Sequence, residues 1–353
     1  MALHLSHEVL RLPLRDPFRI ARSDHDAGLT VTTAIVEVRD DRFPDVVGIG
    51  EGYPDRFYGE TAETMAVVLP LLAAAVGDVE PTAAGLAQAD ARMAAAIADH
   101  GGAKCALDIA LHDLVGKITG RSVADLLGLD DPIPPTDFTL GLDEPTVVAE
   151  RARRAARFPA LKIKCGGPSD LATLEAVRAV YGGPLRVDAN TGWQPDDAVA
   201  LLPELERLGV ELIEQPFPAR RLDQLAWLQE RSSLPIVADE SAVTIADLDG
   251  LVGVVAGVNV KLAKCGGIGP ARAMLERARE LGFRRFLGCM EETSVAIAAS
   301  AAVASLADWV DLDGSLLLAE DPFEGLELDD SCRWQLSGQP GLGVARRAAS
   351  RVA

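Results

Sequence analysis

Between Lys162 and Asp313, ionisable residues recur at the ends of successive short apolar runs, and no other feature of the sequence limits the fold so tightly. The runs read LKIK to Lys164, LRVD to Asp188, LIE to Glu214, IVADE at Asp239 and Glu240, VNVK to Lys261, LGCMEE to Glu292 and WVDLD to Asp313. Each suits a strand buried on both faces, and the roughly 20 to 28 residues between polar tips leave room for one helix with its loops. Repeated strand-helix units close most naturally into a parallel barrel, where functional side chains collect at the C-terminal ends of the strands. DFTLGL, ending at Leu142, adds a first strand. The expected fold class is therefore α/β, a (β/α)7β variant of the TIM barrel with seven complete units and a final strand.

The flanks read differently. VLRLPLRDPF from Val9 and TVTTAIVEVRD over Thr30 to Asp40 alternate as a hairpin or meander would. The loop Arg19 to Gly28 carries Arg22, Asp24, His25 and Asp26, and a second polar loop after GIGEG carries Tyr53, Asp55, Arg56 and Tyr58. Glu63 to Gly116 is rich in Ala, Leu and Val at helical spacing, and Gly128 to Pro135 reads as a linker. Beyond Asp321 only the short runs ELD, WQL and GLGV remain, as in a tail folding back on the first domain. The expected division is 1–130, 131–320 for the barrel, and 321–353 for the returning segment.

A net charge of −19 speaks against nucleic acid or an anionic membrane as partner, since both demand clustered basic charge. The five cysteines lie far apart without a CxxC pair. They are expected to be thiols in a reducing compartment, the cytoplasm, with neither disulfides nor structural zinc. Met1 to Ile20 contains Glu8, several arginines and two prolines, so no signal peptide is expected, and no run approaches the ~18 apolar residues of a membrane span.

Asp188, Glu214 and Asp239 are 26 and 25 positions apart, each ending an apolar run on consecutive strands. Three oxygen donors converging in this way suit a hard divalent cation such as Mg²⁺. Lys162 and Lys164 stand at i and i+2 of one strand and so point to one side. Their mutual repulsion, with nearby metal charge, is expected to depress a lysine pKa toward the range of a base. Lys261 ends a later strand across the mouth, so a substrate held between Lys164 and Lys261 would meet a base on each face. That is the arrangement required for a two-base 1,1-proton transfer. Lys264 is expected to be structural or solvated.

Asp311 and Asp313 form another i, i+2 pair, opposite the metal trio, and suit an ammonium group of the substrate. No histidine falls at a strand tip after Lys261. CGGPS and CGGIGP lack the spacing of phosphate-binding loops, and Cys165 and Cys265 read as small core residues.

ALDIALHDLVGK, LKIK, RVDANTGW, IEQPFP, VADES and NVKLAKCGG, in this order over nearly the whole chain, resemble the enolase superfamily and its muconate-lactonising subgroup. The resemblance implies a (β/α)7β barrel with an α+β capping domain built from both chain ends. It implies Mg²⁺ on Asp188, Glu214 and Asp239, and Lys164 and Lys261 as the two bases. Lys162 would bind a carboxylate or carbonyl oxygen and lower the pKa of Lys164. VDLDGS resembles the Asp-x-Asp element of dipeptide epimerases, in which Asp311 and Asp313 would take the α-ammonium of the dipeptide, with Thr139, Cys289, Met290 and Glu291 lining the pocket.

Glu291 departs from relatives that accept an acidic second residue and carry an apolar side chain there, and so disfavours a substrate carboxylate. Arg22 lies near the position of an arginine that binds a glutamate side chain, but on a loop one residue shorter that also carries Asp24 and Asp26. The activity implied is Mg²⁺-dependent inversion of the C-terminal α-carbon of an L,L-dipeptide through an enolate, with a preference for cationic or neutral side chains. A muconate cycloisomerase, o-succinylbenzoate synthase or N-acylamino-acid racemase would keep all but the ammonium contact, and an idle metal-binding or assembly protein would keep only the barrel. The expected partner is a small-molecule dipeptide, and assembly into a homo-oligomer is left open.

Overall fold

TVTTAIVEVRD forms the middle strand of an antiparallel meander, β1 (Leu3–Pro13), β2 (Thr30–Asp40) and β3 (Gly48–Gly52), in a computed structural model that describes residues 3–22 and 28–348. Asp24, His25 and Asp26 lie outside the described residues. One face of the meander packs on α1 (Ala62–Val76), α2 (Ala83–Ala96) and α3 (Gly101–Thr119), burying Val36 and Val38 with Met65, Leu69, Leu72, Leu107 and Leu111. The glycines of β3 set the closeness of that packing: a Cβ at Gly50 would stand 2.0 Å from the Ala106 carbonyl oxygen. A short α4 (Val123–Leu127), capped by Ser122 and Asp125, follows.

The barrel strands are β4 (Phe138–Leu140), β5 (Leu161–Lys164), β6 (Leu185–Asp188), β7 (Val210–Glu214), β8 (Ile236–Ala238), β9 (Gly257–Val260), β10 (Arg284–Gly288) and β11 (Trp309–Asp311). They pair in sequence order, all parallel. The ends approach where Thr136 bridges Val310 and the Asp137 amide donates to the Val310 carbonyl at 3.0 Å. The connections carry α5 (Pro145–Arg154), α6 (Asp170–Arg178), α7 (Pro195–Arg207), α8 (Leu222–Gln229), α9 (Leu248–Leu251), α10 (Leu262–Cys265) with α11 (Ile268–Glu280), and α12 (Ser294–Ala301). The α/β barrel of eight strands is therefore as expected, with one unit abbreviated: a 3₁₀ turn at Ile245–Asp247 and the four-residue α9 stand in for a full helix.

Lys164, Asp188, Glu214 and Asp311 are the last residues of their strands, while Asp239 and Lys261 follow theirs directly. The LGCMEE run is the exception. Its strand stops at Gly288, and the next residues turn over Gly314, whose Cβ would lie 2.3 Å from the Met290 carbonyl oxygen. After α13 (Gly314–Leu317) the chain returns to the meander and to α3, through a Leu14–Leu318 bridge and a bond from the Leu342 amide to Asp113 Oδ1 at 2.8 Å. It also closes on the barrel, where Trp334 Nε1 donates to the Leu312 carbonyl at 2.8 Å. All five cysteines are free thiols, and no described helix is long and apolar enough to cross a membrane.

Candidate active site

The strand tips open into a cavity of about 610 Å³ roofed by residues of the meander and of the 53–58 loop. Arg22, Thr139, Lys162, Lys164, Asp239, Lys261, Cys289, Met290, Glu291, Asp311 and Asp313 all line it. At its base Asp188, Glu214 and Asp239 each offer a carboxylate oxygen within 4.8 Å of the others, and all three are buried. Oxygen-only anionic donors at this separation fit a hard divalent cation, and Mg²⁺ is the ion the donor set favours. Burial, and then the charge of Asp188, push the Glu214 carboxyl up to about 7, as expected where acids are crowded out of water.

The acids are held from outside as well. Asn259 Nδ2 donates to Glu214 Oε1 at 2.6 Å, the Asn190 amide donates to Asp188 Oδ1 at 2.9 Å, and Gln215 Oε1 accepts from the Asp239 amide at 2.9 Å. Asn190, Thr191 and Gln215 have φ of 41°, 68° and 33°, left-handed backbone that costs of order 1 kcal/mol each and lets the chain turn away directly behind Asp188 and Glu214. Asn190 Oδ1 and Glu240 Oε2, on the loops behind Asp188 and Asp239, are buried without a hydrogen-bond partner among the described residues.

The lysines interleave with this trio. Lys164 Nζ lies 2.6 Å from Asp188 Oδ2, and Lys261 Nζ lies 2.9 Å from Asp239 Oδ2. Lys162 donates to Asp311 and, at 3.4 Å, to Glu214 Oε2. Burial lowers its pKa, but the combined charges of Asp311, Glu214 and Asp188 hold it well above the usual lysine value. Lys261 is likewise raised, burial again being outweighed by Asp239 and Glu214. The acids of the neighbouring strands outnumber the lysine charges, and that decides the sign. Lys264 is structural and not solvated: it is buried and donates to Asp239 Oδ1 at 2.5 Å and to the Asp239, Ala242 and Asn259 carbonyls.

Across the mouth, Thr139 joins the aspartate pair, its hydroxyl donating to Asp311 Oδ1 at 2.9 Å and its amide to Asp313 Oδ2 at 2.6 Å. Burial, then the charge of Asp311, push Asp313 up to about 7. Glu291 Oε2 accepts from the Tyr53 hydroxyl at 2.9 Å. Arg22 donates to Glu240 and to the Asn190 carbonyl, with its guanidinium 4.3 Å from the centre of the Phe57 ring. Asn259, Gln215 and Glu240 carry no role in the sequence reading. Asn259 had a signal, since it stands at i−2 from Lys261 and shares its face.

Two family models cover most of the chain: "Enolase C-terminal domain-like" matches residues 147–349, and "Mandelate racemase / muconate lactonizing enzyme, N-terminal domain" matches residues 7–128. An L-Ala-D/L-Glu epimerase of Bacteroides thetaiotaomicron is 41% identical over 69% of this chain and 64% of its own length, so the match spans a little under two thirds of that relative. An L-Lys-D/L-Arg epimerase of Methylococcus capsulatus is 36% identical over 94% of this chain and 95% of its own. The crystal structure of a dipeptide epimerase from Enterococcus faecalis V583, complexed with Mg and the dipeptide L-Leu-L-Tyr, superposes with a TM-score of 0.89 at 32% identity, covering 98% of this chain and 100% of that one.

Proposed function

The chain belongs to the mandelate racemase / muconate lactonizing enzyme family of enolase-like proteins, and on that footing we propose that it is a Mg²⁺-dependent dipeptide epimerase. It inverts the α-carbon of the C-terminal residue of an L,L-dipeptide. One observation carries this reading. Lys164 ends β5 and Lys261 directly follows β9, four strands apart in a ring of eight and so on opposite sides of one cavity, with the three acids at the tips of the strands between them.

A carbon acid held between the lysines gives its α-proton to one and receives a proton from the other on the opposite face. Mg²⁺ bound by Asp188, Glu214 and Asp239 would supply positive charge where negative charge develops on the substrate carboxylate. Lys162 adds an ammonium group beside Glu214. Asp311 and Asp313, positioned by Thr139, take the substrate's α-ammonium and so fix which α-carbon lies between the bases. Residues 1–130 and 321–353 cap the barrel of 131–320 in this reading. The acidic charge supports a small-molecule substrate over nucleic acid or a membrane surface, and five free cysteines support a reducing, cytoplasmic location.

The side-chain preference follows from charge. Glu291 presents a carboxylate to the cavity with a tyrosine hydroxyl as its bonded neighbour, and Arg22 is committed to Glu240. Dipeptides with cationic or neutral side chains are therefore favoured over Ala-Glu. A library of L,L-dipeptides incubated with enzyme and Mg²⁺ in deuterium oxide, read by mass spectrometry, tests both points. Deuterium should enter the C-terminal α-position, with Lys- or Arg-containing members foremost. Ala-Glu as the best substrate would remove the specificity, and exchange only in N-acylamino acids would remove the ammonium contact.

A further inference from the structure

A second cavity, of about 470 Å³, lies beside the first, enclosed by the Arg15–Phe18 segment, β4, α5 and α13. Phe18, Thr139 and Leu317 line both cavities. Its remaining wall is divided by chemistry. Phe138 and Phe158, with ring centres 4.8 Å apart, and Leu316 form an apolar side. Arg15, Arg151, Arg154 and Arg157 form the other, in a chain whose net charge is −19.

Arg151 is the unusual member. It is 7% exposed, and its Nη2 donates to Asp143 Oδ2 at 2.7 Å, yet Nε and Nη1 are buried and meet no hydrogen-bond acceptor among the described residues. The carboxylate near Nε, Asp16 Oδ1, is 3.7 Å away, beyond hydrogen-bond range, and Asp16 is engaged at 2.9 Å by Arg154 Nη2. Buried guanidinium N–H groups are normally satisfied, and leaving one bare is unfavourable, more so on a charged group. Among the described residues Asp16 is the acid of this wall, set against four guanidinium groups. Arg157 lies 4.9 Å from the centre of the Phe158 ring, which joins the basic and aromatic sides.

We propose that this cavity is a second ligand site, distinct from the strand-tip cavity, for a small organic oxyanion: a carboxylate or phosphate carried on an aromatic or branched aliphatic group. The oxyanion lies against the guanidinium groups of Arg15 and Arg157, with the under-paired Arg151 charge behind them. The apolar group lies on Phe138 and Phe158. The volume suits a small molecule and not a macromolecular segment.

The test is independent of the epimerase reading. Crystals of the Mg²⁺-loaded full chain are soaked with 4-bromobenzoate and the bromine is located by anomalous scattering, while calorimetry follows 4-bromobenzoate, phenyl phosphate and inorganic phosphate in solution. Bromine should appear over Phe138 and Phe158 with the carboxylate turned to the arginine side of the cavity. Both organic anions should bind saturably, inorganic phosphate at least tenfold more weakly, and Arg151→Gln should weaken the organic anions at least tenfold. Because Arg151→Gln also leaves Asp143 unpaired, the exposed Arg157→Gln serves as a second variant, expected to lose severalfold affinity. Bromine only at the strand-tip cavity, bromine nowhere, or affinities unchanged in Arg157→Gln would overturn the site. Inorganic phosphate binding as tightly as phenyl phosphate would overturn the amphipathic ligand.

Discussion

Lys264 shows how one side chain underpins a site without reaching substrate. Its ammonium meets Asp239 and three carbonyl oxygens, all buried, so removing it leaves a buried carboxylate and several acceptors short of a donor. Breaking a buried pair from one side costs ~3–5 kcal/mol. Lys264→Ala should therefore lower stability by about that amount in urea unfolding and weaken Mg²⁺ binding by titration calorimetry, whereas Lys264→Arg should recover part of the stability. Glu292 gives a pH signature. Burial, and then Glu51, push its carboxyl up to about 8 from an ordinary 4.5, so the folded chain keeps a proton that the unfolded chain releases in between. Its contribution is fully present below pH 4.5 and is lost as pH rises through about 8. Glu292→Gln stays neutral throughout. Relative to the wild type, the variant should gain stability between pH 5 and 8, by at most about 1.4 kcal/mol per pH unit, and parallel stability curves for the two proteins would contradict the assignment.

Among the elements, β3 carries the tightest constraint. Its alternating glycines lie flat on α3, and between them Glu51 reaches the N-terminus of α12, accepting from the Thr293 amide at 3.0 Å and from the Ala296 amide at 3.1 Å. One short strand thus sets the distance to α3 and ties the meander to the barrel. Gly50→Ala should cost ~1–3 kcal/mol, because its methyl group would meet backbone that cannot move without shifting a 19-residue helix. Chemical unfolding measures it, and a neutral substitution would show the packing to be looser than described. This scale also marks where sequence reading succeeds and stops. Charged residues ending apolar runs identify strand tips, because few other positions combine burial with ionisation, and Lys164, Asp188 and Glu214 were legible for that reason. The end of β10 was not, since the turn after Gly288 runs against Gly314, where only a glycine leaves room, a closeness that no local pattern encodes. The direction of the Lys162 shift was not legible for a related reason: its sign depends on acids from β6, β7 and β11 together.

For the whole molecule, the three converging acids predict that the ion and the fold are linked. Mg²⁺ at a hundredfold excess over its Kd should add ~2.7 kcal/mol, seen as a rise in Tm that a chelator reverses and Asp188→Asn abolishes. A Tm indifferent to Mg²⁺ would mean that the acids hold no ion. Arg22 and Glu240, 218 positions apart, and the arginines of the second cavity were beyond sequence reading, because only the closed structure brings them together.

The measurement that bears most directly on function is α-proton exchange in deuterium oxide with the lysines removed singly. A preferred dipeptide is supplied as either epimer at the C-terminal residue, and exchange is followed separately from inversion. With one base on each face, Lys164→Ala and Lys261→Ala should both lose inversion by at least a thousandfold, and any residual exchange should be confined to opposite epimers in the two variants. Inversion surviving at near wild-type rate in either variant, or residual exchange in the same epimer for both, would contradict a two-base epimerase.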